Sequence, residues 1–419
     1  MRQLSFSAVV RSSALAASFG VGLLLAGCGG GGGGSTTSAT PATTSTPAVT
    51  PSSPTTAANV VAVSIRQLES NTTTLTANTP YVNVTICDAS NNCQTIPDVM
   101  IDTGSAGLRL FANKVSIGLP AIPAGSGNLA ACAQFASGYA WGGMRAATVK
   151  MGGEITTSAI PIQLMNDPSL PAVPPSCQAQ GTDFAKSFAG IANGILGVSN
   201  FRQDCGSACT TSTRPGMYYA CSGSTCTATT ATLPQQGTNP IIAFPVDNNG
   251  STLTLPEVPL PNGAGSASGT LTFGIGTQSN NALAGSAQIF PVDRSGNFQV
   301  VVNGQSGSGF IDSGSNGIYL DLPGVTECSS AAGFYCPSSP VNLTVQTQGY
   351  LGTPTGTQTV MIGNAEAMFQ TGNTALPALG GTAAIVNFAD LGLPFFYGRP
   401  IATGIDGTNA SAPYGYWAY

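Results

Sequence analysis

Two short phrases hold the residues of this chain best suited to chemistry: Ile101-Asp102-Thr103-Gly104-Ser105 and Ile311-Asp312-Ser313-Gly314-Ser315. Each ends an apolar run on an aspartate and turns at once through a hydroxyl residue and a glycine, and Leu110 and Leu320 close the two copies. Carboxyl groups brought within hydrogen-bond reach cannot both ionise, so they share one proton, and one acts as base while the other acts as acid. That pairing suits the attack of water on an amide carbonyl. In such a site Thr103 and Ser313 lock the two loops together, Gly104 and Gly314 permit the turns, and Ser105 and Ser315 hydrogen-bond the outer carboxylate oxygens. A single Asp-Ser-Gly phrase is ordinary turn chemistry. A matched pair in separate halves of the chain is far more specific.

The rest of the composition removes the main competitors. No histidine occurs in 419 residues, which excludes Ser-His-Asp and Cys-His nucleophiles, imidazole bases and His-ligated zinc hydrolysis. The three lysines, Lys114, Lys150 and Lys186, stand in no Ser-x-x-Lys phrase, and no glycine-rich phosphate loop ends in Lys-Ser or Lys-Thr. A formal net charge of -5 leaves no basic stripe for nucleic acid.

The aspartates need a frame that ends strands in tight turns. With 7% charged residues, 54 Gly and 29 Pro, the chain reads as all-β, with short strands and many turns and without long helices. Each aspartate phrase itself reads as a strand that breaks at a glycine turn.

These paired loops resemble those of the pepsin-like aspartic peptidases, in which each lobe contributes one Asp-Thr/Ser-Gly-Thr/Ser loop. The resemblance implies an all-β, two-lobed fold, two six-stranded-type β-barrel lobes with a cleft between them. It implies an aspartic endopeptidase in which Asp102 and Asp312 hold a water at acidic pH, with a peptide or protein substrate and no metal or organic cofactor. It extends to Ile195-Leu196-Gly197, which fits the apolar strand that threads beside the first catalytic loop. The second-lobe counterpart is Leu391-Gly392, where Asp390 replaces an expected apolar residue. The stretch from Gln134 to Gly153 is similar to the family's flap hairpin over the cleft. Gly138 and Gly142 fall on its glycines, Phe135 occupies the usual tyrosine position, and Tyr139 and Trp141 are near enough to serve as donors. The alternative reading keeps the fold without the reaction: a catalytically silent surface lipoprotein that binds a peptide or glycan.

The first 27 residues read as a signal peptide, because Arg2 and Arg11 accompany an apolar stretch too short for a confident membrane span. Leu25-Ala26-Gly27-Cys28 resembles the lipobox of bacterial lipoproteins, which implies cleavage before Cys28 and its acylation. Gly29 then points to the outer membrane of the cell envelope, again by resemblance. Residues 28–58 read as a flexible Gly, Ser, Thr and Pro tether, residues 59–260 as an N-terminal lobe with the flap and a Cys-rich insertion near 201–240, and residues 261–419 as a C-terminal lobe. The expected assembly is a monomer.

Ten further cysteines suit an oxidising compartment. Spacing suggests the pairs Cys87 with Cys93, Cys205 with Cys209, Cys221 with Cys226, and Cys328 with Cys336, leaving Cys132 and Cys177 as a longer link. Sequence leaves the connectivity open, and zinc on Cys205, Cys209, Cys221 and Cys226 is the alternative that export disfavours. The stretch from Asp247 to Leu253 begins like a calcium loop, but Val258 stands where its last ligand belongs, so a plain turn is expected. Arg109, close behind the first aspartate loop, is expected to form an ion pair rather than to bind a substrate carboxylate.

Overall fold

The computed structural model describes residues 57–68, 75–383 and 385–419. The leader expected over 1–27, Cys28 and nearly all of the 28–58 tether lie outside the described residues. Two sheets, of 17 and seven strands, dominate the described chain, and its longest helix, Ala365–Gln370, has six residues. The fold is all-β, with two barrel-like sheets that each carry one aspartate loop.

Strand patterning explains which side chains face inward. Val341–Gln348 buries Leu343, Val345 and Thr347 and turns Asn342 and Thr344 outward, the period-two signature of a sheet with one covered face. Gly194–Val198 is buried at all five positions because it is covered on both faces. It runs parallel to Cys93–Asp102, with Leu196 opposite Ile101, and antiparallel to Ala106–Phe111, with Leu196 opposite Leu108. The second sheet repeats the arrangement. Phe388–Leu391 runs parallel to Gln305–Ile311, with Leu391 opposite Ile311, and antiparallel to Ile318–Tyr319, with Leu391 opposite Ile318. These six residues belong to one apolar cluster beneath both loops. Burying each Leu or Ile there contributes roughly 1.5–3 kcal/mol.

The two halves are also tied by strand pairing. Val60–Ile65 pairs antiparallel with Ala267–Phe273, which in turn pairs with Gly250–Thr254. The expected lobe boundary at 260/261 therefore falls in the connection between two paired strands. Pro400–Gly404 and Tyr416–Ala418 also join the larger sheet, so strands from both halves of the chain share it.

Five disulfides use all ten of the later cysteines: Cys87–Cys93, Cys132–Cys177, Cys205–Cys209, Cys221–Cys226 and Cys328–Cys336. The pairs are those that spacing suggested, and the four cysteines considered for zinc carry no free thiolate. Within the Cys-rich insertion, Tyr218–Ser222 forms a hairpin with Thr225–Ala228 and pairs with Gly127–Phe135 of the flap.

The stretch that begins like a calcium loop is instead a buried carboxyl site. Asp247 is fully buried and accepts hydrogen bonds from Thr277, Gln278 and Asn281. Burial first, and then the Asp247 charge, push the Glu154 carboxyl above its ordinary range. The folded state therefore binds this proton more tightly than the unfolded chain does. Its contribution favours the fold in acid and is lost as pH rises through the raised Glu154 pKa. Urea unfolding at about pH 4 and about pH 8, on either side of that transition, should show Glu154→Gln to be the less pH-sensitive protein. An equal decline in wild type and variant would remove Glu154 as a source of the slope.

Candidate active site

Both aspartate loops leave parallel-paired strands at their C-terminal ends and meet through side-chain to backbone bonds. The Thr103 amide donates to Ser313 Oγ at 3.1 Å, and the Ser313 amide donates to Thr103 Oγ1 at 2.9 Å. Thr103 Oγ1 donates onward to the Ile311 carbonyl at 3.0 Å, and Ser313 Oγ to the Ile101 carbonyl at 2.8 Å. Both hydroxyl residues are buried, so breaking this lock would strand polar groups away from water. A small side chain with both donor and acceptor capacity fits each position.

The carboxyls above the lock are held in matching ways. Asp102 Oδ1 accepts from the Gly104 amide at 2.8 Å and the Ser105 amide at 3.2 Å, while Ser105 Oγ donates to Oδ2. Asp312 Oδ1 accepts from the Gly314 amide at 2.8 Å, and Ser315 Oγ lies 2.9 Å from Oδ2. Each glycine also lies against the opposite carboxyl. A Cβ on Gly104 would fall 2.7 Å from Asp312 Cγ, and one on Gly314 would fall 2.8 Å from Asp102 Oδ1. Neither glycine has a positive φ, so close approach, not backbone conformation, makes them glycine.

The inner oxygens of the two carboxyls border one point: a Cβ on Gly314 would fall 2.8 Å from Asp102 Oδ1 and 3.1 Å from Asp312 Oδ1. Burial pushes Asp312 well above the usual carboxylate range, and the charges of Asp102 and then Asp390 push it further. Among the described residues no lysine or arginine forms an ion pair with any of the three. Two carboxyls so placed, with no cation beside them, resist ionising together.

Asp390 is the residue that sequence comparison marked only as a mismatch. The strand registers show what it replaces. Leu196 and Leu391 occupy equivalent places, so Asp390 stands where the first lobe has Ile195, facing Tyr319 as Ile195 faces Arg109. Its Oδ2 lies 2.5 Å from Ser315 Oγ, and its Oδ1 is buried without a hydrogen-bond partner. Burial, opposed by the Ser315 bond and aided by the Asp102 charge, pushes it up to about 8.

A charged cluster on the first-lobe side had no signal in the sequence beyond Arg109. Arg109 donates to Asp204 at 3.1 Å and to the Ala106 carbonyl at 2.8 Å, and both charged side chains are nearly completely buried. Tyr218 donates to the other Asp204 oxygen and accepts from the Gly237 amide at 2.8 Å. Asp204 and Tyr218 belong to the Cys-rich insertion, which is thereby pinned behind the Asp102 loop. Arg109 thus forms the expected inter-loop ion pair, and it is spent on scaffolding. Removing one partner of a buried pair leaves the other charge uncompensated, so Arg109→Met should cost roughly 3–5 kcal/mol in denaturant unfolding. A loss below about 1 kcal/mol, typical of exposed pairs, would contradict that role.

The four flap residues divide between two faces. Gly127–Phe135 and Gly138–Met151 form an antiparallel hairpin with Phe135 opposite Gly138 and Cys132 opposite Trp141. Phe135 lies 5.5 Å from the Arg109 guanidinium and packs on Phe184. Gly138, at φ 134, docks on the segment after Cys177, where a Cβ would meet the Thr182 carbonyl at 2.1 Å. Tyr139 and Trp141 do not accompany Phe135. Strand alternation turns them to the other face, into a cluster with the Cys132 and Cys177 sulfurs and Tyr219, where Trp141 Nε1 has no hydrogen-bond partner. The expectation that they serve as donors on the Phe135 face is corrected accordingly.

A family model described as "Protein of unknown function (DUF3443)" matches residues 55–419. No curated protein matches the chain. Among solved structures, the chain is similar to an aspartic proteinase from Irpex lacteus, with a TM-score of 0.50 and 16% identity over 86% of this chain and 96% of that one. At that identity the likeness is one of fold, and it agrees with two sheets that each present an aspartate loop. Since the family match takes in every described residue, the chain belongs to the family described as protein of unknown function DUF3443, on a pepsin-like two-lobed fold.

Proposed function

We propose that the protein is an aspartic-type endopeptidase that hydrolyses peptide bonds in acid through a water held between Asp102 and Asp312. The carrying observation is that both carboxyls border one point beside Gly314, set above a reciprocal Thr103–Ser313 lock. The ionised member takes the water proton as the water oxygen attacks the carbonyl carbon, and the protonated member donates to the carbonyl oxygen. Collapse of the resulting tetrahedral diol expels the amine, with the proton returned to the leaving nitrogen. Ser105 and Ser315 hold the outer oxygens, and the flap with Phe135 covers the bound peptide. The test is cleavage of an unfolded protein across roughly pH 3–6, the window in which carboxyls exchange protons, with and without pepstatin. Pepstatin-sensitive cleavage is expected; none at any pH overturns the reading.

One observation favours a second reading, a silent binder of peptides or glycans. The flap presents a phenyl ring beside Arg109, while Tyr139 and Trp141 are buried on the opposite face. Saturable pepstatin or peptide binding without turnover would select it. For either reading we infer export and anchoring through a lipid on Cys28; the five disulfides support an oxidising compartment. Metabolic labelling with a fatty acid, lost in Cys28→Ser, tests the anchor.

A further inference from the structure

The two lobes match in their locks, their glycines and their hydroxyls, but they differ at one register position. The first lobe has Ile195 there, and the second has Asp390. The difference changes what the neighbouring serine must do. Ser105 Oγ hydrogen-bonds a single carboxyl, that of Asp102. Ser315 Oγ lies between two, at 2.9 Å from Asp312 Oδ2 and 2.5 Å from Asp390 Oδ2. A hydroxyl carries one hydrogen and can donate it in one direction only. Both contacts are hydrogen bonds only if one of the two carboxyls is protonated and donates to Ser315.

The surroundings demand the same proton. Asp390 faces Tyr319 across the strand pair and Asp312 through Ser315, and the Asp102 charge also acts on it. Tyr319 donates to Asn316 Oδ1 at 2.5 Å, and its own ionisation is pushed upward by burial and by Asp390 and Asp312. No cation pairs with these carboxyls among the described residues. The buried, unpartnered Asp390 Oδ1 makes an ionised Asp390 costly unless a neighbour supplies a proton.

We propose that Asp390 is a positioning residue of this site, sharing one proton with Asp312 through the Ser315 hydroxyl. The inference rests on the peptidase reading for its consequence but not for its geometry. Asp312 is then flanked by carboxyls on both sides, Asp102 directly and Asp390 through Ser315. Losing its proton would leave a row of adjacent charges, so the singly protonated dyad persists to higher pH than two carboxyls alone would allow. An amide at 390 ends the sharing: it donates to Ser315, Ser315 donates to Asp312, and ionised Asp312 is favoured.

The test combines two readouts on the full chain: the pH profile of kcat/KM, and the carbon-13 titration of aspartate carboxyls without substrate. In Asp390→Asn the alkaline limb of the profile should move to lower pH by about one unit, about a tenfold loss at a fixed pH on that limb. The Asp312 carboxyl resonance should move in the same direction. Asp390→Ile, which places the first lobe's residue at the matching position and leaves Ser315 to donate to Asp312 alone, should also lower both pH values, which covers a poorly folding first variant. An unmoved limb and an unmoved Asp312 resonance in folded variants overturn the proposal and leave the peptidase reading intact. A wild type that cleaves nothing while the resonances shift as described removes the peptidase reading and retains the shared proton.

Discussion

Asp102→Asn and Asp312→Asn should each lower kcat/KM on an unfolded protein substrate by about 10²–10⁴-fold, the range that positioned acid–base groups contribute. Asparagine preserves the shape of the loops and the reciprocal Thr103–Ser313 bonds. It removes the capacity to pass a proton, so the loss belongs to chemistry. The two variants should part company in stability. Asp312 is pushed upward mainly by burial, so the folded state holds its proton more tightly than the unfolded chain. That contribution favours the fold in acid and is lost as pH rises through the raised pKa. Asp312→Asn should therefore unfold at higher urea concentration than wild type near neutral pH, and the advantage should shrink in acid. Such a gain on removing an active-site group follows the usual opposition of stability and activity. Cleavage within threefold of wild type in both variants would show that the carboxyls do not act on substrate.

The second large effect is expected at a glycine. A Cβ on Gly104 would lie 2.7–2.9 Å from all three carboxyl heavy atoms of Asp312, so Gly104→Ala must displace that group. A displacement near 1 Å in a catalytic group costs on the order of 10²-fold, and a similar loss in kcat/KM is expected here. Gly104 is exposed and its φ is not positive. Alanine is therefore tolerated by the backbone, and the melting temperature should change little. Gly118 is a control, since a Cβ there meets nothing within 4 Å. Full activity in Gly104→Ala would mean that the carboxyls have more room than the loops display. Equal losses in both glycine variants would point to a general effect on folding.

The determinants of this protein divide by how local they are. The all-β class and the paired aspartate loops depend on residues adjacent in sequence: period-two burial, glycine turns, and a hydroxyl directly after each Asp. Four cysteine pairs are equally local, because short spacings brought them within reach, and they left only Cys132 and Cys177 for the fifth link. All of these were written in the sequence itself. Other features depended on which distant strands come to lie side by side. Strand alternation sent Tyr139 and Trp141 to the far face of the flap, although they stand only four and six positions from Phe135 in the chain. The Cys-rich insertion delivered Asp204 and Tyr218 to Arg109, a meeting for which no periodicity gives a signal. Asp390 was visible only as an apolar position wrongly filled. Its meaning came from the register that sets it opposite Tyr319 and beside Ser315. A carboxyl takes its proton affinity from the charges and burial around it, and those are properties of the folded neighbourhood that the order of residues alone does not supply.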